Sequence, residues 1–325
     1  MVDIGERRTR RKGTTFLLVV AAIAFLLAAF TRLLGIDGGR YMVATTALTP
    51  YFTAAGVLLG ALALLLRRWA VGTVTLLVAV VLVAAVAPRA FPDSRPVGVG
   101  REVTVMAANL LVGKAEAEAV VAAVRAHDVD VLAMQELTPE MVRDFERAGL
   151  DDVLPHRHFL DEPGGSGSGI ASRYPVFPRT LTPPSTLRQA GALVDLPGAE
   201  DLEVLSVHPL PPVVYEGPQD WQRDMAGLPR RALDGPVRVL AGDFNATLDH
   251  VGLRRLLNTG YADAADQVGA GLHATWPSGG ALWPPPVAID HVLVDDRCPV
   301  EDFAVVDIAG SDHRAVVSRF VVPAR

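Results

Sequence analysis

Three long apolar runs crowd the first 87 residues and constrain what the whole chain can become. Residues 14–36 (TTFLLVVAAIAFLLAAFTRLLGI), 41–66 (YMVATTALTPYFTAAGVLLGALALLL) and 69–87 (WAVGTVTLLVAVVLVAAVA) stand almost end to end. Each approaches or exceeds the ~20 residues needed to cross ~30 Å of hydrocarbon. Only Arg67 and Arg68 separate the second run from the third, which predicts a tight helical hairpin. Pro50 is expected to kink the second helix or to sit near its start. Arg32, near the end of the first run, is expected to snorkel to the membrane interface. The first run is long for the apolar part of a signal peptide and lacks a clear A-x-A cleavage site. No acid, histidine or lysine lies inside the runs, whereas a charged transport pathway leaves such residues. The runs therefore read as an anchor.

Arg7, Arg8, Arg10, Arg11 and Lys12 precede the first run, and Arg67 and Arg68 fill the second loop. The positive-inside rule puts both in the cytoplasm and everything after residue 88 outside. The expected order is a basic cytoplasmic N-terminus (1–13), a three-helix transmembrane anchor (14–87), a Pro/Gly-containing linker (88–100) and an extracytoplasmic domain (101–325). That makes a multi-pass cell-membrane protein. Charge divides at the same place: residues 1–100 carry eleven Lys/Arg against four Asp/Glu, and residues 101–325 carry nineteen against thirty-two. A domain at −13 does not read as a basic nucleic-acid coat, and the mean hydropathy of +0.30 excludes a plain soluble or disordered chain. The single cysteine, Cys298, excludes an intrachain disulfide and a multi-thiolate zinc site.

The outer part alternates short apolar runs with turns. Strands are expected at 103–108, 129–134, 169–173, 192–196, 203–207, 237–241, 287–294 and 315–321, and a helix at 115–127. This is an α/β or α+β domain with mixed sheets. Polar residues fall directly at strand ends: Asn109, Glu136, His208, and Asp243 with Asn245. A rigid strand fixes such a side chain while the loop beyond it opens to solvent. One such residue means little, but four point to a common rim. Taken singly, each has a plain structural use: Glu136 as an acid at a helix start, Gly242-Asp243-Phe244-Asn245 as a turn, His208 and Ser311-Asp312-His313 as loop residues. Asp290 sits in an apolar strand, where a carboxylate needs a partner, and His313 or Arg314 is placed to supply one. His291, its neighbour, points to the opposite face of a regular strand. Gly164 to Gly169 lacks the Lys-Ser/Thr ending of a phosphate-binding loop and reads as a flexible loop entering a strand.

The ordered set Asn109, Gln135-Glu136, Ser172-Arg173-Tyr174-Pro175, His208, Gly242-Asp243-Phe244-Asn245, Ile289-Asp290-His291 and Ser311-Asp312-His313 resembles the endonuclease/exonuclease/phosphatase superfamily, the deoxyribonuclease-I-like enzymes. The match spans about residues 101–322. The three-helix anchor ahead of it also resembles an actinobacterial branch associated with glycopeptide (teicoplanin) resistance. The resemblance implies a four-layer sandwich of two mixed β-sheets flanked by helices, and metal-assisted phosphoester hydrolysis with Mg²⁺ or Mn²⁺. It implies Glu136 as principal metal ligand, with Asn109 and Asp312 completing or supporting the shell. Asp290 would orient His313, Asp243 position the attacking water, Asn245 hold a phosphate oxygen, and His208 donate to the phosphate or stabilise the transition state. One departure is that no Arg precedes the Ile289-Asp290 pair.

These residue types suit that chemistry. A hard divalent cation takes oxygen ligands and keeps several waters. The metal and the histidines neutralise charge as the pentacovalent geometry develops. A nuclease needs a basic surface, which the acidic balance disfavours despite local arginines at 223, 230, 231, 254 and 255. The loop from Pro209 to Pro236 (Leu210, Val213, Val214, Tyr215, Trp221, Met225), together with Trp276 and Trp283, reads as core packing or as a lipid-touching rim. The expected partners are the lipid bilayer and a phosphoester, favoured as lipid-linked, such as a prenyl pyrophosphate. An extracellular nuclease and a non-catalytic binding module are the alternatives. The sequence fixes no oligomeric state. If the topology holds, alkaline phosphatase fused to the C-terminus is active and green fluorescent protein there is dark; a bright cytosolic reporter overturns it.

Overall fold

The computed structural model describes residues 4–93, 98–214, 217–232, 235–280 and 283–324. Residues 94–97 of the expected linker, and Tyr215, lie outside them. The chain divides into two compact units, residues 1–88 with 249–251, and residues 89–248 with 252–325.

The first unit is helical: α1 (Ile4–Leu34), α2 (Arg40–Ala47), α3 (Thr49–Leu65) and α4 (Trp69–Val86). Two stretches, Lys12–Leu34 and Trp69–Ala90, are long and apolar enough to cross a membrane, and α2 with α3 makes a third if the bent pair is one span. The bend is 68°. It falls at Leu48, and Pro50 sits in the first turn of α3, where a missing N–H costs no helical hydrogen bond. The hairpin expected around Arg67-Arg68 is present, with Arg67 left-handed at φ 56°. Close approach is set by glycine. A Cβ on Gly56 would lie 2.3 Å from the Phe25 ring, and one on Gly60 would lie 2.6 Å from Leu76 Cγ. Apolar helices gain little from mere apolarity in lipid, so such small-residue contacts hold them together. Arg32 is buried within this unit and donates from Nε to Asp249 Oδ1 at 2.7 Å.

The second unit holds two mixed six-stranded sheets. The first comprises β1 (Gly100–Asn109), β2 (Val131–Gln135), β3 (His156–Leu160), β4 (Ser168–Ser172), β11 (Val300–Asp307) and β12 (Arg314–Pro323), in the order β11-β12-β1-β2-β4-β3. The second comprises β5 (Val176–Pro178), β6 (Gly191–Val194), β7 (Leu202–Val207), β8 (Val237–Asp243), β9 (Tyr261–Asp263) and β10 (Asp290–Asp295), in the order β5-β6-β7-β8-β10-β9. Each sheet has one parallel pair, β1 with β2 and β7 with β8. The helices are α5 (Ala117–Ala126), α6 (Pro139–Ala148), α7 (Gly217–Ala226), α8 (Val251–Leu257) and α9 (Ala264–Gln267). Thr138 caps α6 by accepting from Met141 N, and Gly149 ends it in the left-handed region at φ 78°.

The continuous apolar runs have a simple cause: their strands are buried on both faces. Val103, Val105 and Ala107 of β1 join Val204, Val239, Ala241, Val292 and Val294 in the layer between the sheets. The alternate residues Met106, Ala108, Leu132 and Met134 instead pack with Val120 and Val124 of α5 and Met141 and Phe145 of α6. Strand alternation then dictates where the polar ends point. Asn109 continues the parity of Val105 and Ala107, Asp243 that of Val239 and Ala241, Asp290 that of Val292 and Val294, and His208 that of Val204. All four belong to the inner layer, at its rim. The strand expected at 287–294 begins only at Asp290, because Val287 pairs in an isolated bridge with Trp276. Replacing Gly60 with Leu should lower the unfolding midpoint of the full chain in detergent, by about 1–3 kcal/mol of overpacking. Gly13→Leu, in open space, should not; equal effects would remove the packing role.

Candidate active site

Six of the eight expected residues converge at that rim. Asn109 ends β1, Glu136 follows β2, His208 follows β7 and Asp243 ends β8. Asp290 starts β10, which runs antiparallel and lies directly opposite Asp243. His313 precedes β12, which is antiparallel to β1.

Asn109 links the two sheets. Its Nδ2 donates to Glu136 Oε1 at 3.2 Å and to Asp243 Oδ2 at 3.1 Å, while its Oδ1 accepts from Leu111 N at 3.0 Å. Glu136 is left-handed, φ 59°, which takes its side chain out of the alternation of β2. Its Oε2 accepts from Val112 N at 2.7 Å. That donor is aimed by three consecutive left-handed residues, Leu111, Val112 and Gly113 (φ 47°, 54° and 69°). A β-branched residue at positive φ costs on the order of 1–3 kcal/mol and persists where the surroundings enforce it.

His313 Nδ1 donates to Asp290 Oδ2 at 3.0 Å, and its Nε2 lies 3.8 Å from Asp243 Oδ2. Burial opposes a charge on His313, but the carboxylates of Asp290 and Asp243 outweigh it and push the imidazole up to about 10. Asp243, Asp290 and His313 offer ligand atoms within 4.8 Å of one another and are all buried. Burial pushes the Asp243 carboxyl up, against the pull of His313. His208 Nε2 stands 3.8 Å from Glu136 Oε1 and 3.9 Å from Asp243 Oδ2. Burial pushes His208 down, and both its ring nitrogens are buried without a hydrogen-bond partner. Such groups are costly unless a ligand satisfies them.

Two expected residues turn their side chains to partners outside this group. Asn245, left-handed at φ 49°, donates its backbone N–H to Asp243 Oδ1 at 2.8 Å, but its amide donates to Pro209 O at 3.2 Å. Asp312 Oδ2 accepts from Trp276 Nε1 at 3.1 Å, and its Oδ1 is buried without a partner. Asp312 makes no hydrogen bond to Glu136 or Asn109; Asp243, Asp290 and His313 form the tight cluster.

The structure adds supporting bonds that the sequence reading did not assign. The Thr275 hydroxyl accepts from both Ile289 N and Asp290 N at 3.1 Å. The Ser311 hydroxyl donates to Asn109 O at 2.8 Å. Trp221, buried, donates its indole N–H to Phe244 O at 3.1 Å; with Met225 it belongs to the core, whereas Val213, Val214 and Trp283 are exposed. His291 lies outside the cluster, as its parity requires: Nδ1 pairs with Asp263 Oδ2 and Nε2 with Ala246 O, both at 2.8 Å. The glycine-rich loop is packed at Gly167, where a Cβ would lie 1.9 Å from Leu137 O, and open at Gly164, where a Cβ would meet nothing within 4 Å.

The donor set fits a hard divalent cation. Three carboxylates (Glu136, Asp243, Asp290) face one histidine whose charge is favoured, which leaves an excess of negative charge, and the oxygen donors are of the kind Mg²⁺ or Mn²⁺ prefers.

The endonuclease/exonuclease/phosphatase family model matches residues 106–313, well over half of the chain. The chain belongs to this family. No curated protein sequence matches it. Among solved structures, an endonuclease/exonuclease/phosphatase from Beutenbergia cavernae aligns with TM-score 0.55 and 21% identity over 69% of this chain and 72% of that one. A D. rerio TDP2 humanised by 14 mutations aligns with TM-score 0.53 and 16% identity over 67% of this chain and 98% of that one. A family protein from Leptotrichia buccalis gives 0.51 and 14% over 67% and 99%. At these identities the likeness is one of fold. The family consists of metal-dependent phosphoesterases, and this member keeps a buried Asp/Asp/His cluster.

Replacing Thr275 with Val should leave two strand-entry N–H groups unpaired, at about 1–3 kcal/mol, and displace Asp290. The expected readings are a lower unfolding midpoint and a turnover reduced about tenfold or more. Unchanged values in both would remove the role given to this hydroxyl.

Proposed function

We propose that the protein is a membrane-anchored, metal-dependent phosphoester hydrolase whose catalytic domain lies outside the cytoplasm and acts on a lipid-linked phosphate. The observation that carries the reading is the His208 ring, whose two buried nitrogens have no hydrogen-bond partner and whose Nε2 faces Glu136 and Asp243. A neutral imidazole with no protein partner, beside carboxylates tied together by one amide, suits a tetrahedral anion brought in with a cation. Glu136 would hold the metal, with Asn109 beside it and Asp312 supporting. When bound, the metal supplies charge neutralisation and a Lewis acid for the phosphoryl oxygens.

The protein's own groups divide the remaining work. Asp243 accepts a proton from the attacking water. His313, held by Asp290, bears positive charge toward the phosphate, and His208 donates to a phosphoryl oxygen. Asn245 turns its amide from Pro209 to a second phosphoryl oxygen.

The anchor and the basic loops favour an extracytoplasmic site, and an anchored hydrolase meets substrates in the bilayer. The same arrangement supports placing the chain in the actinobacterial branch associated with teicoplanin resistance. The nuclease reading is weaker. Arg223 pairs with Asp220, and Arg231 with Asp295 and Asp296, so part of the arginine set that would meet a polyanion is already neutralised. D. rerio TDP2 has been solved with a single-strand DNA product, which is a property of that protein.

The full chain in detergent with Mg²⁺ should release phosphate from a prenyl pyrophosphate, and EDTA should stop it. Glu136→Gln and His313→Ala should each lower turnover by about 10²–10⁴-fold while still inserting in membranes. Wild-type turnover in either variant removes its role, and rapid DNA cleavage with no phosphate release from lipid reverses the substrate order.

A further inference from the structure

A half-open groove of about 470 Å³ lies where the edge strands of the two sheets meet. His158 and Leu160 of β3 line one side, and the chain from Pro178 to Gly191, between β5 and β6, lines the other. The volume is that of a small-molecule site. The lining is rich in donors, and three of its side chains have hydrogen-bonding capacity to spare. Arg179 is exposed, and among the described residues its guanidinium has neither a hydrogen bond nor an ion pair; only its backbone N–H is used, donating to Gly191 O at 2.8 Å. Arg188 donates from Nε to Glu162 Oε1 at 2.6 Å on one side only. Gln189 has its Nε2 buried without a partner.

Gln189 also connects the groove to the reacting centre. Its Oε1 accepts from His208 N at 3.4 Å. A second connection runs through the glycine-rich loop: Arg188 N donates to Ser166 O at 2.9 Å, and a Cβ on the adjacent Gly165 would lie 3.5 Å from Glu136 Oε2. One lining residue, Gln189, thus bonds to the main chain of His208, and a second, Arg188, bonds to the loop that packs on Glu136.

The geometry points to a second anion subsite here, in which Arg179 and Gln189 hold a further phosphate of the substrate while the cluster at the rim acts on the first. A planar guanidinium without a carboxylate partner matches phosphate bidentately, and the orphaned amide of Gln189 supplies another donor between the two phosphates. The substrate class is therefore one with two linked phosphates, such as a pyrophosphate ester. This inference rests on the phosphoester-hydrolase reading.

Two assays on the full chain in detergent separate the ideas. With Mg²⁺, Arg179→Ala should raise KM for farnesyl pyrophosphate about tenfold or more and leave p-nitrophenyl phosphate kinetics unchanged, with Arg179→Lys partly restoring KM. In EDTA, calorimetric titration with inorganic pyrophosphate should show about tenfold weaker binding to Arg179→Ala than to wild type. Equal pyrophosphate affinity in both proteins, or equal losses with both esters, overturns the subsite while leaving hydrolysis standing. If wild type hydrolyses neither ester and pyrophosphate affinity still depends on Arg179, the hydrolase reading fails and the anion subsite survives.

Discussion

The amide of Asn109 is the joint on which the site depends. It belongs to one sheet and donates at once to Glu136 of the same sheet and to Asp243 of the other. Two carboxylates this close repel each other. A shared neutral donor reduces that repulsion without cancelling the charge that would attract a cation. Because the joint lies at the end of the layer between the sheets, any change in how the sheets pack is transmitted to the distance between the two acids. The apolar layer of Val105, Ala107, Val239, Ala241 and Val292 below it is in this sense part of the catalytic geometry.

The same layer explains why much of the site was legible. Asn109, His208, Asp243 and Asp290 keep the parity of the apolar residues before or after them, so the period-2 pattern that identifies a buried strand also says which face its polar end occupies. His291 was placed outside by the same rule, and its bonds to Asp263 and Ala246 agree. The central strands were legible because both of their faces are apolar. Edge strands were not: β3, β5 and β11 are half-exposed and mix polar with apolar residues, and β9 is only three residues long.

Other features were hidden for a different reason. Thr275, Ser311 and Trp221 act through hydrogen bonds to backbone atoms distant in sequence, and no local pattern distinguishes such a threonine or serine from one in a loop. The Trp276 indole that donates to the Asp312 carboxylate is likewise distant from it in sequence. Gly167 and Gly169 read as slack because composition reports freedom, whereas packing against Leu137 removes it.

The left-handed run at Leu111–Gly113 carries one further consequence. The donor it presents to Glu136 is a main-chain N–H, so the contact has no letter of its own in the sequence. Nineteen of the twenty amino acids at position 112 would bring the same hydrogen to the same place, provided the turn keeps its hand. Proline alone deletes it, and proline also cannot adopt the φ of 54° that the turn imposes there. Position 112 is therefore constrained through its backbone: every residue but proline can present the hydrogen, at a conformational cost that is least for glycine and asparagine.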